Sequence, residues 1–360
     1  MANPDGINAL PAPRSTAAFQ AVTSFLLVAA SFLLLSTGCA HRPPPSRYEF
    51  SSVQMAIPFR IVLYSSDPQI ATNAARAAWE RIAELNRLLS DYDPDSELSR
   101  LGASSPHAQP VQVSADLYRI IERASAVSAA SDGAFDLSVG PLTQLWRRTR
   151  RQRELPEPEK LQSALAATDW KSIELLKKSR VKLTRPGMRL DAGGIAKGYA
   201  LDEATRVLRA HGIRSSLVAG SGDMVVTDPP PGQTGWRIQV APLELPGSPP
   251  ARFVSLHHAS LCTSGDVFQH VEIRGIRYSH ILDPHTGLGL THQSLITVIG
   301  PDGITTDALS TAISVAGPRA GIPLARRFGA EVLVVRQSAP GASPSIESFE
   351  SPGFARWTAR

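Results

Sequence analysis

The chain has little cysteine, with 2 in 360 residues. A disulfide-built scaffold is therefore excluded, and a fold of this length must be held by its apolar core. Its uncharged apolar run "AVTSFLLVAASFLLL" (21–35) is 15 residues long, too short to span a bilayer comfortably. The glycine patterns of a Walker loop and of the dinucleotide fingerprint are both missing, which removes two nucleotide-binding classes. There is no H-E-x-x-H and no cysteine pair, and His257 and His258 are adjacent rather than on one helical face, so zinc chemistry has no foothold. No internal repeat is visible, and aromatic residues amount to only 6%.

What is present is globular in kind. Hydrophobic residues make up 42% and charged residues 19%, and the length suits one large domain or two lobes. The 29 prolines gather in clusters such as "RPPPS" (42–46), "DPPPG" (228–232) and "LPGSPP" (245–250), which read as loops or linkers. The apolar run has the size of a signal h-region, and "STGCA" follows it at 36–40. Residues 1–38 thus read as a leader that is a lipoprotein signal, an ordinary signal peptide or a membrane anchor. The small residue before Cys39 favours the first, with Cys39 lipidated and the protein held on the extracytoplasmic, periplasmic side of a membrane. Residues 39–52 then form a proline-rich tether, 53–336 the folded domain and 337–360 a loose tail. Cys262, left alone, reads as a small buried hydrophobe.

The formal net charge is +5, and Arg147–Arg153, "RRTRRQR", supplies five arginines in seven residues. Without interleaved aromatics or a binding motif, this is a solvated helix end rather than a nucleic-acid patch; acidic lipid or a protein partner is the alternative.

Periodicity sets out the elements. "FRIVLY" (59–64) alternates as a strand. Residues 67–92 carry Ala71, Ala75, Ala78, Ile82, Leu85 and Leu89 at helical spacing. Further helices are expected at 114–131 with Ser114 as N-cap, at 160–169, at 196–212 closed by Gly212, at 305–317 ending on Gly317, and at 320–329. "VKLTRPGMRLDAGG" reads as a hairpin. Strands are expected at 215–219, 236–241, 252–256, 268–274, 294–299 and 330–336. Strands and helices mix without a strict βαβ rhythm, which indicates an α+β fold of mixed sheets packed with helices.

Polar, glycine-rich stretches hold the chemistry. They are "LSDYDPDSELSRL" (89–101), "SDGAFDLSVGPL" (131–142), "LDAGGIAKGYALDEA" (190–204), "CTSGDVFQH" with "YSHILDPHTG" (262–287), and "TTDALSTAI" (305–313). Each alone also reads as a turn, a loop or a structural histidine. Asp307 and Thr311 stand at i and i+4, so a carboxylate and a hydroxyl share one helix face. Hard oxygen donors of this kind suit Mg²⁺, while a threonine bonding back into its own helix is the plain alternative.

Taken in order, these stretches resemble the ApbE family, the FAD:protein FMN transferases, from about Met55 to Val335. The resemblance implies a two-lobed, T-fold-type α+β domain with FAD in the cleft between lobes. It implies Mg²⁺ as cofactor and FAD as substrate, with FMN passed to a Ser or Thr hydroxyl of an exported target protein and AMP released. By the same resemblance, Met55, Tyr92, Ala134, Phe135, Asp136, Asp191, Lys197 and Ile281 contact FAD. Gly194, Asp307 and Thr311 hold the metal, and His280 serves transfer. Where the family usually shows Met-Gly-Thr, this chain has "MAIPF", and "AGSGD" (219–223) replaces Gly-Gly-Asp while keeping Asp223. An FAD pyrophosphatase and a non-catalytic flavin-binding lipoprotein are the rival readings.

Overall fold

Alternation turns the segment after the prolines into a hairpin. In the computed structural model, which describes residues 44–240, 243, 248–265, 269–337 and 345–359, β1 (Ser46–Gln54) pairs antiparallel with β2 (Ile57–Ser65). Met55 and Ala56 form the turn at φ 48° and 60°, the left-handed pair that a two-residue hairpin of type I′ demands. Ala56 thus holds a conformation that glycine adopts without strain. This corrects the 39–52 tether: from Ser46 onward the chain is sheet, because Tyr48 and Phe50 alternate with exposed residues and pack on the core. Cys39 and the 1–38 leader lie outside the described residues. Among the described residues no helix is long and apolar enough to cross a membrane.

Helix α1 (Pro68–Leu89) starts at Asp67, whose carboxylate accepts from Gln69 N at 2.7 Å. Helix α2 (Glu97–Ala103), strand β3 (Val111–Gln112) and helix α3 (Ala115–Ala130) follow, α3 capped by Ser114 as expected. Next come α4 (Gly140–Gln152), α5 (Pro158–Ala166), β4 (Ile173–Leu176) and β5 (Arg180–Leu183). Strand β5 pairs with β4 and β3 in a small sheet, so only the first part of the expected hairpin at 181–194 is strand.

Helix α6 (Ala196–Ala210) leads to β6 (Ser216–Gly220), β7 (Asp223–Val226), β8 (Trp236–Val240), β9 (Arg252–Leu256) and β10 (Ala259–Gly265). The hairpin β11 (His270–Ile273) and β12 (Ile276–Ser279) precedes β13 (Ser294–Gly300) and α7 (Gly303–Arg327). Strands β14 (Glu331–Gln337) and β15 (Ile346–Glu350) follow. Helix α7 bends at Gly317, φ 72°, where two separate helices were expected. The tail is also corrected. Strand β15 pairs with β14, and Phe354 is fully buried against the sheet, held there as Glu331 accepts from Gly353 N at 3.1 Å.

The main sheet runs β1-β2-β6-β7-β10-β13-β14-β15. Its inner strands β13 and β14 are buried along nearly their whole length, which is why they read as unbroken apolar runs. Phe59, Ile61, Leu63, Val218, Ile296, Val298, Val332 and Val334 face a core shared with α1, α3, α6 and α7. Val62, Leu217, Leu295, Ile299, Leu333 and Val335 face a second core under the β8–β9 hairpin. A third, smaller core joins Leu142 and Trp146 of α4 to Val271, Ile273 and Tyr278 of β11 and β12.

Two contacts fix the site. Helices α6 and α7 meet at Gly198 and Gly303, where a Cβ on Gly198 would lie 2.0 Å from the Gly303 carbonyl oxygen. Asp202 then accepts from Gly303 N at 2.7 Å and Ile304 N at 2.9 Å, satisfying the start of α7 from the neighbouring helix. Burial pushes its carboxyl up to about 7.

His285 joins two loops. Its Nδ1 lies 3.0 Å from Asp283 Oδ1 and its Nε2 lies 3.0 Å from the Asp132 carbonyl oxygen. Both neighbours accept, so the ring must carry both protons to donate twice. Burial works against the charged form, but the Asp283 carboxylate and the Asp132 carbonyl outweigh it and raise the pKa above its ordinary value. A base with a raised folded pKa stabilises fully below its unfolded pKa, and the effect fades as pH rises through the folded value. The Tm difference between wild type and His285→Gln should therefore shrink as pH rises past the ordinary imidazole value of about 6.5, with a contribution within about 1 kcal/mol for so exposed a pair. A pH-independent difference would show that the ring bonds in its neutral form.

Candidate functional site

The first turn of α6 carries Lys197 into a buried acidic site. Its ammonium is ion-paired with Asp223 Oδ2 and lies 3.8 Å from Asp307 Oδ1. Asp223 is 1% exposed and Asp307 4%, so neither charge is repaid by water. Asp223 also accepts from Thr263 N at 2.9 Å, and Asp307 Oδ2 accepts from Gly198 N at 2.8 Å. The count is two carboxylates against one ammonium. Cys262 adjoins them, fully buried and accepting from the Thr306 hydroxyl at 3.1 Å. Burial, then the charge of Asp307, pushes its thiol up to about 12. It is a buried thiol beside two carboxylates, and the other donors around it are oxygens.

Gly194 completes this corner. A Cβ there would stand 2.9 Å from Thr311 Oγ1 and 3.2 Å from the Phe135 ring, so only glycine lets the backbone approach the threonine. The Thr311 hydroxyl has no hydrogen-bond partner among the described residues. Its neighbour Ser310 instead bonds back to the Asp307 carbonyl at 2.8 Å. The i, i+4 pair thus presents a carboxylate oxygen and an uncommitted hydroxyl beside the Gly194 backbone.

A second corner lies along the same segment. Asp191 N donates to the Leu137 carbonyl at 2.9 Å, tying residues 190–194 to the loop of Ala134 and Phe135. Asp191 Oδ1 accepts from Gly193 N at 2.8 Å, and Oδ2 accepts from Arg147 at 3.2 Å. Arg147 also reaches Asp91 and Tyr92. Ala134 and Phe135 are buried, the latter against Gly194. Asp136 organises its own loop: Oδ1 accepts from Ser138 N and Oγ, each at 2.7 Å, and Oδ2 from Trp170 N at 3.0 Å. Both of its oxygens are engaged.

Met55 sits in the β1–β2 turn and Ile281 is buried beside Ser279, whose hydroxyl accepts from its N at 3.0 Å. The described bonds of His280 run to the Gln269 carbonyl, from its backbone N at 2.9 Å and with Nδ1 at 3.1 Å. Two residues of the site were not expected from the sequence. In the sequence Asp223 figures only as retained in "AGSGD", with no role, and Arg147 only as the first member of a basic run.

The ApbE family profile matches residues 55–334. A FAD:protein FMN transferase of Treponema pallidum (strain Nichols) is 30% identical over 314 residues, covering 82% of this chain and 86% of that protein. The crystal structure of the Pseudomonas stutzeri flavinyl transferase ApbE, apo form, superposes with a TM-score of 0.76 at 28% identity, covering 87% of this chain and 97% of that one. The ApbE protein of Thermotoga maritima MSB8 gives a TM-score of 0.76 at 29% identity, covering 88% and 100%. With the profile running through both corners of the site and the α+β architecture shared, the chain belongs to the ApbE family.

Proposed function

We propose that this protein is an Mg²⁺-dependent FAD:protein FMN transferase, exported and anchored by a lipid on Cys39. The observation that carries the reading is the meeting of Gly194, Asp307 and Thr311 beside a buried acidic pair that Lys197 neutralises only in part. A residual negative charge among hard oxygen donors fits Mg²⁺, which keeps waters and takes a phosphate oxygen as ligand. The Asp307 carboxylate, the Thr311 hydroxyl and the Gly194 carbonyl would hold the ion; when bound, it withdraws charge from the pyrophosphate.

The chain's own residues do the rest. Lys197 adds positive charge near the phosphates. The hydroxyl oxygen of the acceptor Ser or Thr forms a bond to the FMN phosphorus, while the bond from that phosphorus to the bridging oxygen breaks and AMP leaves. His280 takes the hydroxyl proton, a step suited to a neutral imidazole. Water in place of the hydroxyl would give FMN and AMP, so the ratio of labelled acceptor to free FMN measures hydrolysis against transfer. Mere flavin binding leaves Asp307 and Thr311 without a purpose, because the ring system needs no metal.

Asp307→Ala should cut FMN transfer at limiting Mg²⁺ by at least about a hundredfold, as expected for an ion that has lost its carboxylate. Chromatography of released AMP checks this, and undiminished release would remove Asp307 from the metal site. His280→Ala should lower transfer by ~10²–10⁴ while leaving FAD affinity nearly intact. Flavin-fluorescence titration alongside acceptor labelling read by mass spectrometry separates the two. If binding, stability and labelling fell together, His280 would be a brace for its loop and not the base. For the anchor, wild type should take up labelled palmitate and Cys39→Ser should not. A wild-type protein without label and with a mature N-terminus elsewhere would make it simply a secreted enzyme.

A further inference from the structure

Of the five arginines in residues 147–153, one is turned inward. Helix α4 fixes that direction, because Trp146 is 2% exposed with its indole N–H donating to the Ser279 carbonyl at 3.0 Å, and Thr149 is 2% exposed. Arg148 bonds to Gln152 on the outer side. Arg147 instead places its guanidinium 2.5 Å from Asp91 Oδ2 and 3.2 Å from Asp191 Oδ2, with Cζ 4.0 Å from the centroid of the Tyr92 ring. Its edge serves carboxylates and its face a ring, a combination open to a planar guanidinium and closed to an ammonium.

We propose that Arg147 is a positioning residue for the dinucleotide, one that sets the Tyr92 ring and the Asp191 carboxylate in fixed relation to each other. The assignment rests on the FMN-transfer reading above. Tyr92 is 77% exposed, and its loop supplies only a contact from its backbone N to the Ser90 hydroxyl at 3.3 Å. The guanidinium covers one face of the ring and leaves the other to a flat ligand ring such as an isoalloxazine. Asp191 is held from two sides, by Arg147 on Oδ2 and by Gly193 N on Oδ1, one residue from the Gly194 cradle. Arg147 therefore ties the ring-binding corner to the phosphate-binding corner through Asp191.

Electrostatics point the same way. Burial and the nearby charge of Asp191 push the Asp91 carboxyl up, and Arg147 opposes them. Without the guanidinium, two largely buried carboxylates would face each other with no cation between them. Asp91 is thus useful only while Arg147 is present, which gives the test its handle.

The test measures FAD affinity by fluorescence quenching, and KM and kcat for transfer, on purified full-length R147Q, R147K, D91N and D91N/R147Q. R147Q should raise the Kd and KM for FAD by about 10- to 100-fold, the span for losing a hydrogen bond to a charged group, with kcat changed by less than about threefold. R147K should recover only part of this, since it restores charge but not the stacked plane. D91N in the R147Q background should regain affinity, because it removes the uncompensated carboxylate. Unchanged Kd and KM in R147Q would overturn the assignment. So would a joint loss of kcat, affinity and thermal stability that D91N fails to relieve, which would make Arg147 a brace of α4. A wild-type protein that bound no FAD would overturn the function reading itself, whereas wild-type binding with an indifferent R147Q would overturn only this inference.

Discussion

The site depends on an ammonium placed between two buried carboxylates. Asp223 starts a central strand, Asp307 lies in the second turn of α7, and Lys197 opens α6. Breaking such a buried pair by losing one partner costs about 3–5 kcal/mol, so the three elements cannot drift independently. The meeting requires that α6 and α7 approach more closely than side chains allow, and Gly198 against Gly303 permits it. Asp202 then satisfies the first N–H groups of α7. The "GGIAKG" segment is therefore less a loop that wraps phosphate than a helix start that delivers a cation. Its first residues stay open for backbone contact, and its last glycine is spent on packing.

The same arrangement explains why the charge is left incomplete. A second lysine would neutralise the pair and make a stable but inert core. With one lysine and an uncommitted threonine hydroxyl, the site keeps an electrostatic deficit that a divalent cation can fill. Cys262 is buried beside both carboxylates, and burial pushes its thiol up.

Much of the fold was legible because burial leaves periodic marks. α1 shows its buried stripe at three and four, and β2, β13 and β14 show alternation or apolar runs. The elements that were missed carry weaker marks. β1 and β15 are sheet-edge strands with half-buried, polar faces, and their proline- and serine-rich flanks read as tether and tail. β10 reads as a polar loop because its last residues, Thr263 to Gly265, are only half-buried. In the site, Asp307 and Thr311 were readable because one helix turn separates them. The Lys197–Asp223 pair spans 26 positions from helix to strand, and no local spacing encodes that. The carboxylate of Asp136 holds its own loop through Ser138 and Trp170, which the motif alone does not reveal.

Arg147 marks the limit of reading charge by density. Five arginines in a row of seven suggest one solvated surface, and for most of them that is what the helix gives. A helix turns each successive residue by about 100°, so adjacent arginines 147 and 148 need not share an environment. With Trp146 and Thr149 buried on the inner face, residue 147 falls at the edge of that face, and its long side chain reaches past it to the acidic pair. The basic run is therefore two things in one string. Its outer members are a helix end whose positive charge complements the dipole, and its first member belongs to the site. What separates them is the position of a tryptophan, which anchors α4 to the β12 strand and so decides which arginine meets Asp91 and Asp191.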